Sequence, residues 1–286
     1  QALRSRPDHQ RAVWAGRLAR SRATPEKALE YFALAGRFDP DDRQAAIAEM
    51  ELLREMGRSK AALKVLARLP EDAEILYARG VLERDLGRMA DRGELAKARS
   101  LLADMRKRPQ SQPEIAEQAW LVEGELLAES GDNEQALQLL SKALTQLPGS
   151  SALLYARAMA AVNQQQLALA EQDLRTIIQS DPENAAALNA LGYTLSDRTD
   201  RQREALRLIE TALALEPDNP AILDSMGWVL FKLGRTDEAL PYLRDAVSAE
   251  PHPEIVAHLI EALWALDRRD EAREWIARTR SSMAGE

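Results

Sequence analysis

Apolar residues recur at helical spacing along the chain and are interrupted by short polar turns, as the stretch from Gly227 to Pro251 illustrates. Its first apolar run contains the small residue Gly227, and a polar Gly-Arg-Thr-Asp turn begins at Gly234. A second run opens at Ala239 and carries Leu243 four residues later. Pro251 ends that run because proline cannot continue the helical hydrogen-bond ladder. The pattern predicts two helices joined by a tight turn.

The same two-helix plan repeats along nearly the whole chain. Each copy has one reference residue, usually small, in its first helix: Gly16, Met50, Gly80, Gly124, Ala158, Gly192, Gly227 and Ile260. The steps between them are 34, 30, 44, 34, 34, 35 and 33 residues. The second helix carries an alanine, a large apolar residue four positions later and a closing proline, as in Ala28, Phe32 and Pro40, in Ala136, Leu140 and Pro148, and in Ala205, Ile209 and Pro217.

A period near 34 with these fixed members resembles the tetratricopeptide repeat family. The resemblance covers nearly the whole chain, and its residues are packing residues. It therefore implies a fold more strongly than a function. The implied fold is all-α: a solenoid of about eight helix-turn-helix repeats forming a right-handed superhelix.

The repeats are predicted to make a single domain over residues 1–286. They begin near residues 9, 43, 73, 117, 151, 185, 220 and 253. Residues 1–8 are predicted to be the end of a preceding repeat, and residues 281–286 are predicted to be a disordered tail. Because Ala2 to Pro7 resembles the last turns of an earlier helix, we expect the chain to be a fragment of a longer protein.

Two copies depart from the regular period. In the second copy, Pro70 comes eight residues after Ala62, whereas most copies place the proline twelve residues on, so its second helix should lose about one turn. In the third copy, six extra residues, 88–93, follow the turn at Gly87, and a basic, proline-bounded connection spans residues 106–113. We expect a tolerated loop here rather than a functional one, and a bend of the superhelix.

Two further local features are predicted. Thr24 before Pro25 predicts a helix start, with the threonine as N-cap and the proline at the first helical position. Gly192 and Gly227 are predicted to lie where paired helices approach closely, so a larger side chain would overpack the contact.

Composition and charge exclude several classes of protein. The chain has no cysteine. It also contains no apolar run near the roughly 20 residues of a membrane span, so we expect no membrane insertion by these residues. Residues 1–108 hold 23 Lys+Arg and 17 Asp+Glu, a net charge of +6, and residues 109–286 hold 15 and 29, a net charge of −14. The arginines of the basic part are scattered among carboxylates without interleaved aromatic residues, so we expect no nucleic-acid binding.

The sequence offers no constellation for catalysis, for a metal or for a cofactor. His252 and His258 are six residues apart, a spacing that does not place both on one helical face. The glycines occur singly, so there is no phosphate-binding loop. We therefore expect a protein that is not an enzyme and that carries no metal and no cofactor.

Candidate partner-binding residues lie on the first helix of each pair. Positions three before, one after and four after the reference residue fall on one stripe, because an α-helix turns about 100° per residue. The resemblance implies that this stripe lines the concave surface where such proteins bind their partners. In the carboxyl-terminal half the stripe is aromatic, with Tyr155, Met159, Tyr193, Trp228, Phe231 and Trp264. In the amino-terminal half it is edged by Arg17, Arg20, Arg54 and Arg84.

Two interpretations of these aromatic side chains stay open. Any single ring could equally pack between neighbouring helices, since such stripes are half-buried in either case. The aromatic residues and Met159 together favour partner contact, because interface hot spots and adaptable surfaces use these residue types. A lysine- and asparagine-based clamp for a peptide carboxylate is not expected, because the stripe holds one asparagine, Asn189, and no lysine.

A narrower resemblance concerns one kind of tetratricopeptide protein. The stretch AVWAGRLARSRATPEKALEYFALAGRFDPDD and the irregular third copy before RPQSQPEIAEQAW are similar to Gram-negative outer-membrane lipoproteins that act as adaptors of a periplasmic carboxyl-terminal processing protease. The resemblance implies a protease partner, substrates such as peptidoglycan cross-link hydrolases, and a periplasmic location through the lipid anchor. The alternative is a structural or assembly scaffold for envelope polysaccharide or pilus machinery. A third alternative, an enzyme's regulatory arm, would require a catalytic domain upstream.

Overall fold

The computed structural model describes residues 2–87, 100–104 and 113–283, and every regular element within these ranges is an α-helix. The all-α prediction is therefore confirmed. The six-residue insertion at 88–93 and most of the connection at 106–113 lie outside the described residues. The chain divides into two compact units, residues 1–139 (unit 1) and residues 140–286 (unit 2).

Among the described residues of unit 1, we number six helices and the beginning of a seventh. Their bounds are α1 (Ala2–Ser21), α2 (Pro25–Phe38), α3 (Arg43–Glu55), α4 (Ser59–Leu66), α5 (Ala73–Gly87), α6 (Pro113–Glu129) and α7 (Asn133–Gln146). Residues 100–104 are also helical. The apolar core lies between successive pairs, as in the cluster of Met50, Leu53, Leu66, Ile75 and Leu82. Each pair therefore buries its apolar face against the next pair, as repeat architectures require.

Unit 2 continues the same alternation with more regular lengths. Its helices after α7 are α8 (Ser151–Asn163), α9 (Leu167–Ser180), α10 (Ala185–Arg198), α11 (Gln202–Leu215), α12 (Pro220–Lys232), α13 (Thr236–Ala249), α14 (Pro253–Ala265) and α15 (Arg269–Met283). The even-numbered members from α8 to α14 are the first helices of their pairs, and they carry the predicted stripe.

In six of the helix pairs, the turn depends on one backbone conformation at a fixed position. A residue with positive φ occurs seven positions after the reference residue in six copies: Ala23, Gly57, Gly131, Gln165, Gly234 and Asp267, with φ between +52° and +81°. Glycine adopts this region without steric cost, which explains its presence at three of the six turns. The last copy makes the same turn with Asp267 in place of glycine.

The close helix approach predicted at two glycines is confirmed. A Cβ atom built on Gly227 would lie 2.5 Å from Leu243 Cγ, and one on Gly192 would lie 2.5 Å from Ile209 Cγ1. Gly16 of unit 1 is packed in the same way, with Phe32 Cε1 at 2.7 Å from the added atom. The reference residue is small in these copies because the large apolar residue of the second helix occupies the space of its side chain.

Two local predictions, the cap at Thr24 and the length of the second helix of the second copy, differ from the structure in detail. The hydroxyl of Thr24 does not cap α2: it donates to the carbonyl oxygen of Ala19, 2.8 Å away, so the threonine closes the preceding turn instead. Side-chain caps are made elsewhere, as by Asp42, which accepts from the Ala45 N–H at 3.1 Å. The second helix of the second copy, α4, has 8 residues against 14 in α2, a larger loss than one turn.

The two chain ends also differ from the expectation. Ala2 to Ser21 is one continuous 20-residue helix, so the opening residues belong to the same helix as the first repeat. At the other end, α15 continues to Met283, so residues 281–283 are helical where a disordered tail was predicted. Residues 284–286 lie outside the described residues.

Candidate protein-interaction surfaces

An aromatic stack lies on the first helices of unit 2. The Trp228 ring packs nearly parallel to the His258 imidazole, with centroids 4.1 Å apart and planes inclined by 20°. On its own helix it stacks with Phe231 at 5.2 Å and 24°, because residues three apart share a helical face. Tyr193 lies 6.1 Å from the His258 ring. Helices α10, α12 and α14 thus contribute to one stack.

Carboxylates of neighbouring repeats fix the polar edges of this stack. Trp228 Nε1 donates to Asp197 Oδ1 at 3.3 Å, and the Tyr193 hydroxyl donates to Glu254 Oε1 at 2.8 Å. His258 Nδ1 lies 3.0 and 2.9 Å from the two carboxylate oxygens of Asp224. Burial, followed by the hydrogen bond to Glu254, raises the pKa of Tyr193, so its hydroxyl remains a donor throughout the neutral range.

The stack has a buried part and an accessible part. Trp228, His258 and Asp224 are buried, Tyr193 and Phe231 are half-buried, and Trp264 keeps 49% of its surface exposed. The exposed Glu261 lies three residues before Trp264, on the same face of α14. We call Tyr193, Trp228, Phe231, His258 and Trp264, with the carboxylates of Asp197, Asp224, Glu254 and Glu261, the aromatic surface.

The predicted aromatic group is therefore brought together in part. Tyr193, Trp228 and Phe231 lie in the one stack, and Trp264 extends the stripe on α14. Tyr155 and Met159 lie on α8 and are half-buried, and within the described residues no ring contact links Tyr155 to the stack. Burial raises the pKa of the Tyr155 hydroxyl. Trp228 packs between helices, whereas Trp264 is exposed, so partner contact at Trp264 stays a prediction.

Three of the four predicted arginines of unit 1, Arg20, Arg54 and Arg84, are engaged with carboxylates of neighbouring helices. Arg20 donates to Glu51 and Glu55, and the hydrogen bond to Glu51 raises the pKa of the Arg20 guanidinium. Arg54 Nε donates to Asp85 Oδ2 at 2.7 Å. These arginine–carboxylate pairs join α1 to α3 and α3 to α5.

Arg84 extends the same row of pairs. Its guanidinium donates to Asp85 on its own helix and to Glu125 Oε2 on α6, the latter at 3.2 Å. Arg17 is exposed and lines a shallow depression with Trp14 and Asp42. We call Arg20, Arg54 and Arg84, with their partners Glu51, Glu55, Asp85 and Glu125, the arginine surface. Because its charges compensate one another, an acidic partner would have to compete with the protein's own carboxylates.

A cavity of about 700 Å³ opens beside these ion pairs. Its lining combines charged residues of the arginine surface with the apolar side chains of Ile47, Met50, Tyr77 and Val81. Burial raises the pKa of the Tyr77 hydroxyl, and the nearby Arg84 and Arg54 oppose that rise. The cavity is large enough for a side chain or a small ligand.

Unit 1 also exposes apolar residues that the stripe did not predict. Trp14 keeps 67% of its surface exposed, and Tyr31, Leu34 and Phe38 are exposed along α2. The last three recur at intervals of three and four residues, so they share one face of α2. Helical spacing alone could not separate this exposed face from a buried one.

Sequence reasoning missed His258, Asp197, Glu254 and Lys232 as members or neighbours of the aromatic surface. A signal for His258 was present, since it follows Asp224 by 34 residues, one repeat period. Residues one period apart lie at equivalent places on adjacent first helices and therefore can meet. Within residues 2–87, 100–104 and 113–283 there is no cluster of three side chains suited to a metal ion. No described helix meets the length and hydropathy that crossing a membrane requires.

A family model described as tetratricopeptide repeat matches residues 127–195 and 230–285, and a second model of that description matches residues 90–151. Together the two models cover more than half of the chain. These matches concern a scaffold-forming repeat and indicate no enzyme family.

Two curated relatives and one solved structure are similar to the chain. It is 48% identical over 150 residues to TPR repeat-containing protein PA4667 of Pseudomonas aeruginosa, a match covering 52% of this chain and 25% of that protein. It is 28% identical over 243 residues to cellulose synthase operon protein C of Pseudomonas fluorescens, covering 77% and 18%. A tetratricopeptide repeat protein from Parabacteroides merdae has a TM-score of 0.67 at 16% identity, covering 90% of this chain and 99% of that one. The chain spans a quarter or less of the length of both curated relatives.

Proposed function

The chain belongs to the tetratricopeptide repeat family, and from this premise we propose that it is a non-enzymatic adaptor that binds a periplasmic carboxyl-terminal processing protease and presents substrates to it. Tetratricopeptide repeats mediate protein–protein interaction, so protein binding is the general activity of this chain. The proposal adds the class of partner, the substrates, such as peptidoglycan cross-link hydrolases, and a location in the periplasm on an outer-membrane lipoprotein.

The observation that carries partner binding is the accessible part of the aromatic surface. Half of the Trp264 surface is in contact with solvent, beside the half-buried Phe231 and Tyr193. Tryptophan and tyrosine are enriched among the residues that dominate interface energies. The protease and the lipoprotein location are supported by the resemblance of the amino-terminal stretch and of the irregular third copy to protease adaptors.

The two surfaces favour an adaptor with two different partners. The arginine surface offers compensated charges around an apolar cavity, whereas the aromatic surface offers the exposed Trp264 ring and excess carboxylates. Chemically different surfaces recognise different segments, since specificity comes from matching both shape and charge. We therefore assign the protease and its substrate to separate surfaces of this chain.

The test combines binding with proteolysis, using the purified chain, the carboxyl-terminal processing protease of the same organism and a cross-link hydrolase. We expect the chain to bind both proteins in calorimetry and to speed the loss of the hydrolase in a time course. Trp264→Ala should weaken binding of one partner about tenfold, because hot-spot truncations cost at least 1–2 kcal/mol. Trp14→Ala, which truncates an even more exposed tryptophan of unit 1, is the matched control and should leave that partner's affinity unchanged.

The charge reversals Arg17→Glu and Arg54→Glu examine unit 1: Arg54 belongs to the arginine surface, and the exposed Arg17 precedes Arg20 by three residues on α1. We expect the pair to weaken the partner that Trp264→Ala spares. If both sets of variants weaken one partner equally, a single ligand contacts both surfaces and the two-partner assignment is wrong. Binding to neither the protease nor the hydrolase, with intact helical circular dichroism, would reject the protease-adaptor proposal.

The alternative function is a scaffold for envelope polysaccharide or pilus machinery. Similarity to cellulose synthase operon protein C over 77% of this chain favours the polysaccharide form of it. A chain that ignores the protease but binds a component of a polysaccharide synthase would establish this alternative. The same calorimetric assay, with Trp264→Ala and Trp14→Ala as the variant pair, decides between the two partners.

A further inference from the structure

The aromatic surface already holds one cation of the protein itself. The Lys232 ammonium lies 5.3 Å from the centroid of the Trp228 ring, within the range of a cation–π interaction. Lys232 is an exposed residue at the end of α12, so its flexible side chain can leave this position at little cost. The Trp228 ring face therefore accepts a positive charge, and the cation of another molecule can replace the Lys232 ammonium there.

Two carboxylates of α14, Glu254 and Glu261, have oxygens without a described partner. Glu254 uses Oε1 to accept from Tyr193, and among the described residues no hydrogen bond or ion pair engages its Oε2. Glu261, exposed one turn after the buried His258, has no ion pair among the described side chains. His258 itself stacks on Trp228, so Glu261 is on the side of α14 that approaches the stack. Glu261 is therefore the carboxylate whose place in the helical register suits a cation at the Trp228 ring.

The net charge of unit 2 also favours binding of a cation. Residues 140–286 contain 15 Lys+Arg and 22 Asp+Glu, a net charge of −7, and Lys142 and Lys232 are the two lysines among them. Several of the arginines are held in ion pairs, such as Arg157 with Asp173 and Arg244 with Glu271. Such a field attracts cationic segments and repels acidic ones.

We propose that the aromatic surface binds a lysine- or arginine-bearing segment of a partner protein, flanked by apolar residues. The partner's cation replaces the Lys232 ammonium over Trp228 and is neutralised by Glu261, while the apolar neighbours pack on Phe231 and Trp264. This inference rests on the proposed function, because it names the chemistry of the partner segment at one of the two surfaces. It predicts that Lys232 acts as an internal competitor.

Fluorescence anisotropy with a labelled peptide of alternating lysine and leucine tests the inference on the full chain. The same peptide with glutamate in place of lysine should not bind measurably. Glu261→Lys should weaken the lysine peptide about tenfold, because a favourable charge contact becomes a repulsive one. Lys232→Gln should strengthen it about two- to fivefold, since an exposed cation–π contact of about 0.5–1 kcal/mol no longer competes.

Matched variants separate a local effect from a change in net charge. Asp245→Lys reverses an exposed carboxylate on α13, and Lys142→Gln removes the other lysine of unit 2. Both should leave the peptide affinity within about twofold of the unmodified chain. Equal weakening by Asp245→Lys and Glu261→Lys, or unchanged affinity in Lys232→Gln, overturns the proposal. Tight binding of the glutamate peptide overturns it as well.

Binding of the intact protease and hydrolase distinguishes this inference from the proposed function. If both proteins bind the chain, and Glu261→Lys and Lys232→Gln change neither those affinities nor that of the lysine peptide, the adaptor function stands and the cationic segment is wrong. If neither protein binds while the peptide responds as expected, the surface chemistry stands and the protease assignment is wrong.

Discussion

Position four after the reference residue has different chemistry in the two units. In the first three copies it is Arg20, Arg54 and Arg84, and each arginine pairs with a carboxylate on the next first helix. In the last two copies it is Phe231 and Trp264, beside the stacked rings of unit 2. The helical register is the same, so the difference lies in the side chains alone.

The comparison separates the positions that make the fold from those that give each unit its surface. The reference residue and the apolar residue that packs on it are alike in both units, as Gly16 with Phe32 and Gly227 with Leu243 show. The neighbouring exposed positions vary freely because they take no part in helix crossing. A protein built this way can change its partners copy by copy without changing its architecture.

The largest effect should come from filling a helix crossing, and it should be the same in both units. Gly227→Leu places a side chain where even Cβ would meet Leu243 at 2.5 Å, and Gly16→Leu does so against Phe32. Overpacking of this kind should lower the free energy of unfolding by about 3 kcal/mol in each case. Thermal and urea denaturation followed by circular dichroism measure the loss.

Gly149→Leu is the control for this comparison, because nothing lies within 4 Å of a Cβ added at Gly149. We expect a change of less than about 0.5 kcal/mol there. A tolerated leucine at Gly227 but not at Gly16 would show that the two units do not share one packing rule.

A smaller effect should distinguish the charged pairs of the two units. In unit 2, Asp173 is 1% exposed and accepts two hydrogen bonds from Arg157, at 2.8 and 2.7 Å. Arg157→Met leaves a buried carboxylate without its partner and should cost about 2 kcal/mol. Arg54→Met removes an exposed pair of unit 1 and should cost under about 1 kcal/mol.

Urea denaturation of both variants at low and high salt checks this difference. Salt should reduce the small Arg54 effect more than the Arg157 effect, because exposed pairs are screened and buried ones are not. Equal losses for the two variants would mean that the ion pairs of unit 1 are as structural as the buried pair of unit 2.

The smallest effect should be a gain in stability when a buried carboxylate of unit 1 is made neutral. Glu49 is 7% exposed, and burial raises the pKa of its carboxyl while Arg68 and Arg37 oppose that rise. Since the folded state holds this proton to higher pH than the unfolded state, Glu49 lowers stability as pH rises above its ordinary pKa of 4.5. Glu49→Gln should therefore stabilise the protein at pH 7 by under about 1 kcal/mol.

The gain from Glu49→Gln should disappear in melting curves recorded below pH 4.5, where the carboxyl is protonated in both states. Glu51→Gln, which neutralises the exposed carboxylate that pairs with Arg20, is the control and should give no gain at either pH. A gain that persists in acid would point to altered packing rather than to the cost of a buried charge.

The sequence predicted the repeats and their crossings because these follow from spacing along one helix. Gly192 and Gly227 were placed correctly, since the period aligns them with Gly16. The hydroxyl of Thr24 was assigned wrongly because cap and turn bonds compete for the same short side chain. The arginine pairs were missed because they join residues 31 to 41 positions apart, and a stripe drawn on one helix does not include the next.

One hydrogen bond of the aromatic surface reaches further than any of these pairs. Tyr193 on α10 and Glu254 on α14 are 61 residues apart, so the bond passes over the repeat that contains α12. Linear repeat arrays normally couple each repeat to its neighbours alone, and the terminal repeats open first. Here the opening of α14 must also break a contact with a repeat two places away.

The cooperativity of this end of the chain therefore extends over three repeats. A hydrogen bond to a charged acceptor contributes about 1.5–3 kcal/mol, and less where solvent reaches it, which is enough to change how often a terminal repeat opens. Amide hydrogen exchange of α14 should then follow that of α10. A segment bound across the aromatic surface would slow amide exchange in α10, α12 and α14 together. Binding at this surface would therefore be measurable as slower opening of all three helices.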